Sequence, residues 1–334
     1  MSVRSFGFNK DGEEVLLYTI ANENIELSVS NYGATMVSLI EKSTGIDVLL
    51  GYDNAEGYTS HAGHLGGFIG RTANRIKDAK FTLNGETYNL EINSKTNNIH
   101  GGETGFDRVM YEAEETDNTV TFHRISKDGE AGYPGDLDVT VTYTLLENGV
   151  ELKAEGKALN KDTIFAMTNH NYYNLDGSDS ILTHKVTLHA QQYADDDPDG
   201  ISILPLKNVE GTAFDFRNGK ELGQDIACDD PQIIQNNGYD HHWAIDGTGL
   251  REFAVCQGKQ LEMRVCSNLP GMHMYTSNFL NGTGKGGKAH TPHTGVCFEP
   301  EFIPNAINYD GVVKPIVKCG ETSTQLIQVY LKKI

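Results

Sequence analysis

From Leu137 to Leu145 every second residue is apolar or aromatic (Leu137, Val139, Val141, Tyr143, Leu145), with Asp138, Thr140, Thr142 and Thr144 between them. Side chains that alternate in this way belong to a β-strand with one dry and one wet face. A chain made of such strands must pair them and bury the dry faces on one another. The pattern recurs at Ile25, Leu27 and Val29. Asn84-Gly85 separates Phe81-Thr82-Leu83 from Glu86-Thr87-Tyr88, and Asn148-Gly149 separates the Leu137 strand from Val150-Glu151-Leu152. Asn-Gly suits the left-handed backbone of a tight hairpin turn, so both pairs predict antiparallel neighbours. No long segment keeps a helical period, and 36 glycines spread along the chain mark frequent turns. That disfavours alternating strands and helices around a parallel sheet. The expectation is an all-β chain. With no Pro- or Ser-rich linker and no internal repeat, residues 1–334 are read as a single domain.

The charge balance narrows the partners. Against 27 Lys and Arg stand 46 Asp and Glu, a net charge of −19, which repels phosphate backbones and anionic lipid. No nucleic acid and no membrane partner is expected. The N-terminal Met1-Ser2-Val3-Arg4-Ser5-Phe6-Gly7-Phe8-Asn9-Lys10 lacks the apolar core of a signal peptide, and no apolar run reaches membrane-spanning length. Five cysteines without close pairing (Cys228, Cys256, Cys266, Cys297, Cys319) fit reduced thiols. A cytoplasmic location follows, where the Asn281-Gly282-Thr283 sequon carries no weight.

Several stretches concentrate chemistry. Thr168-Asn169-His170-Asn171-Tyr172-Tyr173-Asn174-Leu175 sets one histidine among amides and aromatic rings. Rings cover the C–H faces of a sugar, amides fix its hydroxyls, and imidazole moves protons near neutral pH. His170 is a candidate general acid, the plainer alternative being a half-buried histidine with satisfied hydrogen bonds. Asn74 and Arg75, after a glycine-rich approach, can grip hydroxyls or hold a surface turn through an ion pair. In Asn97-Asn98-Ile99-His100-Gly101-Gly102 two glycines let the backbone bend closely behind His100. Asp240 precedes His241, His242 and the single tryptophan, Trp243, and can accept from two vicinal hydroxyls. Glu299 and Glu301 flank Pro300, nominally on one strand face at an edge or bend. Either could be a general base, and two carboxylates also suit a glycoside hydrolase.

Other patterns fail on context. Gly282-Thr283-Gly284-Lys285-Gly286-Gly287 fits G-x-G-x-x-G, but no phosphate-capping helix can follow it. It is expected instead as a loop, Asn281 to Lys288, able to cross over a site. Asp195 to Gly200 imitates half of an EF-hand, with Leu206 where the bidentate glutamate belongs. Adjacent His241 and His242 point to opposite faces of a strand and cannot easily share an ion. His290, His293 and Cys297 lack an evident fourth ligand. No metal is expected.

Taken in order, the Asn-Arg pair at 74–75, His100-Gly101-Gly102, Thr168-Asn169-His170, Asp240 and Glu299 resemble the aldose 1-epimerase (galactose mutarotase) family. Connecting segments agree with it: Asn31-Tyr32-Gly33-Ala34-Thr35, Gly105-Phe106-Asp107, Gly132-Tyr133-Pro134-Gly135 and Tyr275-Thr276-Ser277-Asn278-Phe279-Leu280. The resemblance spans nearly the whole chain. It implies a large antiparallel β-sandwich with a sugar cleft, and interconversion of the α and β anomers of a free aldose such as galactose or glucose. No cofactor is implied, the partner is a small aldose sugar, and the chain acts as a monomer or homodimer. By similarity His170 protonates the ring oxygen and Glu299 takes the proton of the anomeric hydroxyl, while Asn74, Arg75, His100 and Asp240 hold hydroxyls.

An imidazolium and a carboxylate suit this work, each favouring the charged state of the other, and a bell-shaped pH dependence follows. Two residues depart from the family's habit: Glu301 and His273 stand where glutamine is common, which bears on sugar preference and makes His273 a further candidate sugar contact. Tyr111 stands where tryptophan is common and should alter packing more than chemistry. The alternatives are a hexose-6-phosphate 1-epimerase, which needs a basic clamp, a carbohydrate-binding module without chemistry, and a glycosidase using Glu299 and Glu301.

Overall fold

The structure is a computed structural model describing residues 1–60 and 63–334. Strands dominate the described residues, and the α-helices among them are two of six residues each, Ala55–Ser60 and Pro231–Asn236. Three larger antiparallel sheets organise the chain. Five strands from Ser2–Phe8 to Ile46–Asp47 form a sheet in chain order. A nine-stranded sheet runs from Glu112–Glu115 to Lys220–Glu221 and holds the C-terminal strand Thr322–Lys333 between Gly149–Ala158 and Leu261–Ser267. A six-stranded sheet has the order Tyr172–Tyr173, Val296–Glu301, Gly271–Tyr275, Asp240–Ile245, Ala190–Tyr193, Lys207–Asn208.

The alternation from Leu137 to Leu145 is realised, its odd-numbered side chains being buried. They join one continuous core with Ile25, Leu27 and Val29 of the first sheet and with Trp243, Met272, Met274 and Phe298 of the six-stranded sheet. Opposed sheets burying their dry faces in common are a β-sandwich, as expected.

The two Asn-Gly pairs separate here. Asn84 and Gly85 take φ of 54° and 83° between Lys80–Leu83 and Glu86–Asn89, the turn predicted. At the second site Leu146 pairs with Gly149, so the turn is Glu147-Asn148 and Gly149 belongs to the strand. A Cβ on Gly149 would lie 2.1 Å from the Val329 carbonyl oxygen. That glycine admits the C-terminal strand, a demand no local pattern reveals.

One face of the six-stranded sheet builds the site. The register sets Asp240 opposite Tyr275, His242 opposite His273, and His273 opposite Glu299. With a side-chain period of two, Asp240, His242, His273, Tyr275, Glu299 and Glu301 share that face, and Trp243, Met272, Met274 and Phe298 point into the core. His241 and His242 diverge as anticipated: His241 packs edge-on against Phe214 at 4.7 Å, on the core side. Tyr172–Tyr173 covers Val296–Glu301 only at Val296 and Cys297, so Pro300 lies where the strand has become an edge and its missing N–H costs nothing.

Candidate active site

Asn74, Arg75, His100, His170, Asp240, His273 and Glu299 line one cleft of about 190 Å³, together with Ile99, Tyr275 and Phe279. All seven residues singled out from the sequence therefore meet in space. They come from three sources: the sheet face carries Asp240, His273 and Glu299, the segment between Thr168–Asn169 and Tyr172–Tyr173 carries His170, and two linked turns carry Asn74, Arg75 and His100.

His170 is anchored through its backbone, its N–H donating to Gly67 and its carbonyl accepting from Gly66. Its ring stacks on Tyr172 at 5.1 Å and on His64 at 5.8 Å. The Cys297 Sγ lies 3.6 Å from Nδ1, which leaves Nε2 to face Glu299, whose Oε1 is 3.7 Å away. That gap is too long for a direct hydrogen bond. It suits two groups that each bond a different oxygen of a bound molecule.

The ionisation of this pair differs from expectation. Burial, with the His64 ring adding to it, pushes His170 down to about 3, and burial pushes Glu299 up to about 8 although the His273 and Arg75 cations oppose it. Mutual attraction does not overcome desolvation here, so in the free protein the pair keeps its one proton on Glu299. The imidazolium–carboxylate form has the same total of protons. Moving one proton across the gap converts one form into the other.

The two turns are interlocked. Asn74 and His100 both adopt positive φ, and each donates its backbone N–H to the other residue, to His100 Nδ1 at 3.2 Å and to the Asn74 carbonyl at 3.1 Å. Because Nδ1 accepts, the His100 proton sits on Nε2, a donor for a hydroxyl, and burial keeps the ring neutral. The glycines following His100 have φ of 84° and 100°. A Cβ at Gly101 would stand 1.9 Å from the Gly70 carbonyl oxygen. Arg75 donates weakly from Nη1 to Gly200 at 3.4 Å, and its Nε is buried without a partner. No carboxylate pairs with it among the described residues, unlike the ion-paired surface turn weighed above. Arg71 is the structural arginine, buried and bonded to Ser126, Lys127, Pro134 and Thr163.

Glu301 stays out of the cleft, its Oε1 lying 3.3 Å from His242 Nδ1, so it does not oppose Glu299 across a bound sugar as a glycosidase carboxylate would. The loop 281–288 does not cover the site either. It folds on the segment from Asp47 to Asp53 through Lys285 Nζ to Asp47 at 2.7 Å and the Gly286 N–H to Asp53. Phe279, 67% exposed, takes a place at the cleft instead. Tyr111 is buried and gives its hydroxyl to Phe106, a packing role.

The sequence reading missed His64 and Asp107. His64 Nδ1 meets Asp107 Oδ2 at 2.6 Å, and its ring lies 4.7 Å from His100. A histidine before Gly66-Gly67 was the available signal. Among the described residues, His170, Cys297 and Glu299 have donor atoms within 4.8 Å of one another, close enough for a metal. Two of the three are the candidate proton-transfer groups, and an ion would occupy the lone pairs they need.

The aldose 1-epimerase family model matches residues 16–330. A galactose mutarotase of Bos taurus is 36% identical over 315 residues, 91% of this chain and 90% of that protein. An aldose 1-epimerase of Escherichia coli (strain K12) is 33% identical over 331 residues, 95% of each. The crystal structure of a galactose 1-epimerase from Lactobacillus acidophilus NCFM aligns with a TM-score of 0.89 at 26% identity, covering 99% of this chain and 98% of that one. An aldose epimerase homologue from C. elegans also gives 0.89 at 26% identity, covering 95% and 99%.

Proposed function

Since the chain belongs to the aldose 1-epimerase family, a family of isomerases, we propose that it interconverts the anomers of a free hexose, galactose or glucose, with His170 and Glu299 as the proton-transfer pair. Galactose mutarotases among its relatives support galactose. Among the described residues Arg75 is the one arginine or lysine lining the cleft, which gives a sugar phosphate no wider clamp.

The 3.7 Å approach of His170 Nε2 and Glu299 Oε1 inside the cleft carries the assignment. The anomeric carbon bears both the ring oxygen and the hydroxyl, so a sugar placed between the two groups gives each its own oxygen. The anomeric hydroxyl passes the Glu299 proton to His170 as it bridges them. His170 then protonates the ring oxygen while Glu299 takes the hydroxyl proton, the C1–O5 bond breaks and the C1 carbonyl forms. Rotation about C1–C2 turns the other carbonyl face to the ring hydroxyl, and both transfers run backwards to close the ring. Asn74, Arg75, His100 and Asp240 hold the remaining hydroxyls, and His273 completes that wall of the cleft.

Residues 1–334 act as one domain, supported by a core that runs from Tyr18 to Leu331. No helix among the described residues is long and apolar enough to cross a membrane, and the five free cysteines support a reducing, cytoplasmic setting. Polarimetry of freshly dissolved α-galactose and α-glucose tests the function. Mutarotation accelerated by the protein and lost in Glu299→Gln is expected; no acceleration with either sugar would overturn it.

A further inference from the structure

Behind the proton-transfer pair, the same sheet face carries ionisable groups that the reaction does not use. His273, on the central strand of three, has a carboxylate on each side of its ring. Its Nε2 lies 2.7 Å from Asp240 Oδ1 on one neighbouring strand. Its Nδ1 lies 3.7 Å from Glu301 Oε1 on the other and 3.3 Å from the Asn74 amide. The same Glu301 oxygen meets His242 Nδ1, and Glu301 Oε2 is buried without a partner. Of these groups Asp240 is the one that reaches outward, its side chain 22% exposed against 5% for His273 and 1% for Glu301.

A buried histidine whose Nε2 is already bonded to Asp240 holds a sugar hydroxyl poorly. It is well placed to fix the carboxylate in front of it, since a buried ring hydrogen-bonded to one carboxylate and at ion-pair distance from another on its far side has one favoured orientation. We propose that His273 and Glu301 form a positioning pair for Asp240, holding its carboxylate so that the oxygen left free accepts hydroxyl hydrogens, and that affinity for the aldose, more than proton transfer, depends on the two together. The pair deepens the reading of the cleft as a sugar site and rests on it.

The electrostatics agree. Burial works against a charged His273, yet the Asp240 hydrogen bond with Asp240, Glu301 and Glu299 around it lifts the ring to about 9. Asp240 is held below the usual carboxylate range although burial opposes this, chiefly by the His273 hydrogen bond and charge. The groups facing His273 are Asp240 and His242 from one strand, Glu299 and Glu301 from the other, and Asn74, Arg75, His100, His170 and Asp196 from the adjoining segments. Burial pushes Glu301 well above the usual carboxylate range and the His273 charge opposes this, so each of the two favours the charged form of the other. A single uncharged replacement therefore withdraws that support from its buried partner, while replacing both removes the coupled groups together.

The test is a double-mutant cycle on mutarotation kinetics with His273→Gln, Glu301→Gln and the double variant. Each single change should raise KM roughly tenfold with kcat altered less than about threefold, and the double variant should be no worse than the weaker single. An unchanged KM in His273→Gln, or single effects that multiply in the double variant, overturns the pairing. Histidine nitrogen NMR of the wild type decides the matter if a variant fails to fold: both His273 nitrogens protonated at pH 7 is expected, and a ring titrating at the ordinary histidine value overturns it. Glu299→Gln run alongside separates the two levels. If Glu299→Gln keeps full activity, the site assignment falls; if it is inactive while His273→Gln keeps its KM, the positioning pair alone falls.

Discussion

At the scale of single residues, burial holds both proton-transfer candidates toward their uncharged forms. On the proposed mechanism Glu299→Gln removes the group that accepts the anomeric proton, and His170→Asn removes the donor to the ring oxygen. Each should lower kcat by roughly 10²–10⁴-fold while the fold persists, a difference read by polarimetry against thermal melting. The pH dependence tests the ionisation state directly. A pair that must enter the reaction with one proton loses it from Glu299 at about 8 and gains a second on His170 only at about 3. Since kcat/KM reports the free enzyme, it should hold level through neutral pH and fall above about pH 8. A histidine that had to be charged at its ordinary value would instead give a decline above about 6.5. That earlier decline would refute the one-proton description. Both candidates stand out in the sequence, in Thr168-Asn169-His170 and in the strand ending at Glu301. Their ionisation does not, because desolvation depends on what the rest of the chain stacks over them.

At the scale of elements, spacing was a reliable guide to faces and a poorer one to reasons. The parity that separates His241 from His242 holds because alternation belongs to the strand backbone itself. Asn148-Gly149 misled because a glycine can serve a turn or a neighbour, and only the position of Val329 says which. Gly101 is the sharper case for experiment. Its φ of 84° and the 1.9 Å distance from a Cβ to the Gly70 oxygen mean that Gly101→Ala must push the two turns apart. A loss of roughly 2–4 kcal/mol is expected from the overpacking and the left-handed backbone together. Because those turns carry Asn74 and His100, sugar KM should rise as the melting temperature falls. A stable variant with unchanged KM would show that the interlock is not needed.

At the scale of the whole molecule, the C-terminal strand is decisive. Thr322–Lys333 enters the nine-stranded sheet between strands that begin near residues 149 and 261, so neither half of the sheet closes without the last residues of the chain. Truncation after Glu321 should abolish cooperative unfolding and leave no measurable mutarotation, and a truncated protein that still melts in one transition would contradict this topology. What the sequence settled by itself was whatever depends on a few neighbouring residues: the period of two, the Asn84-Gly85 turn and the all-β class. The tertiary structure decided what depends on distance along the chain. It placed residues 74 to 299 around one cleft, withdrew Glu301 behind His273, laid the 281–288 loop away from the site, and buried Glu299 so that its carboxyl is pushed up. Contacts across hundreds of residues and the water they exclude are properties of the assembled fold, and no local pattern encodes them.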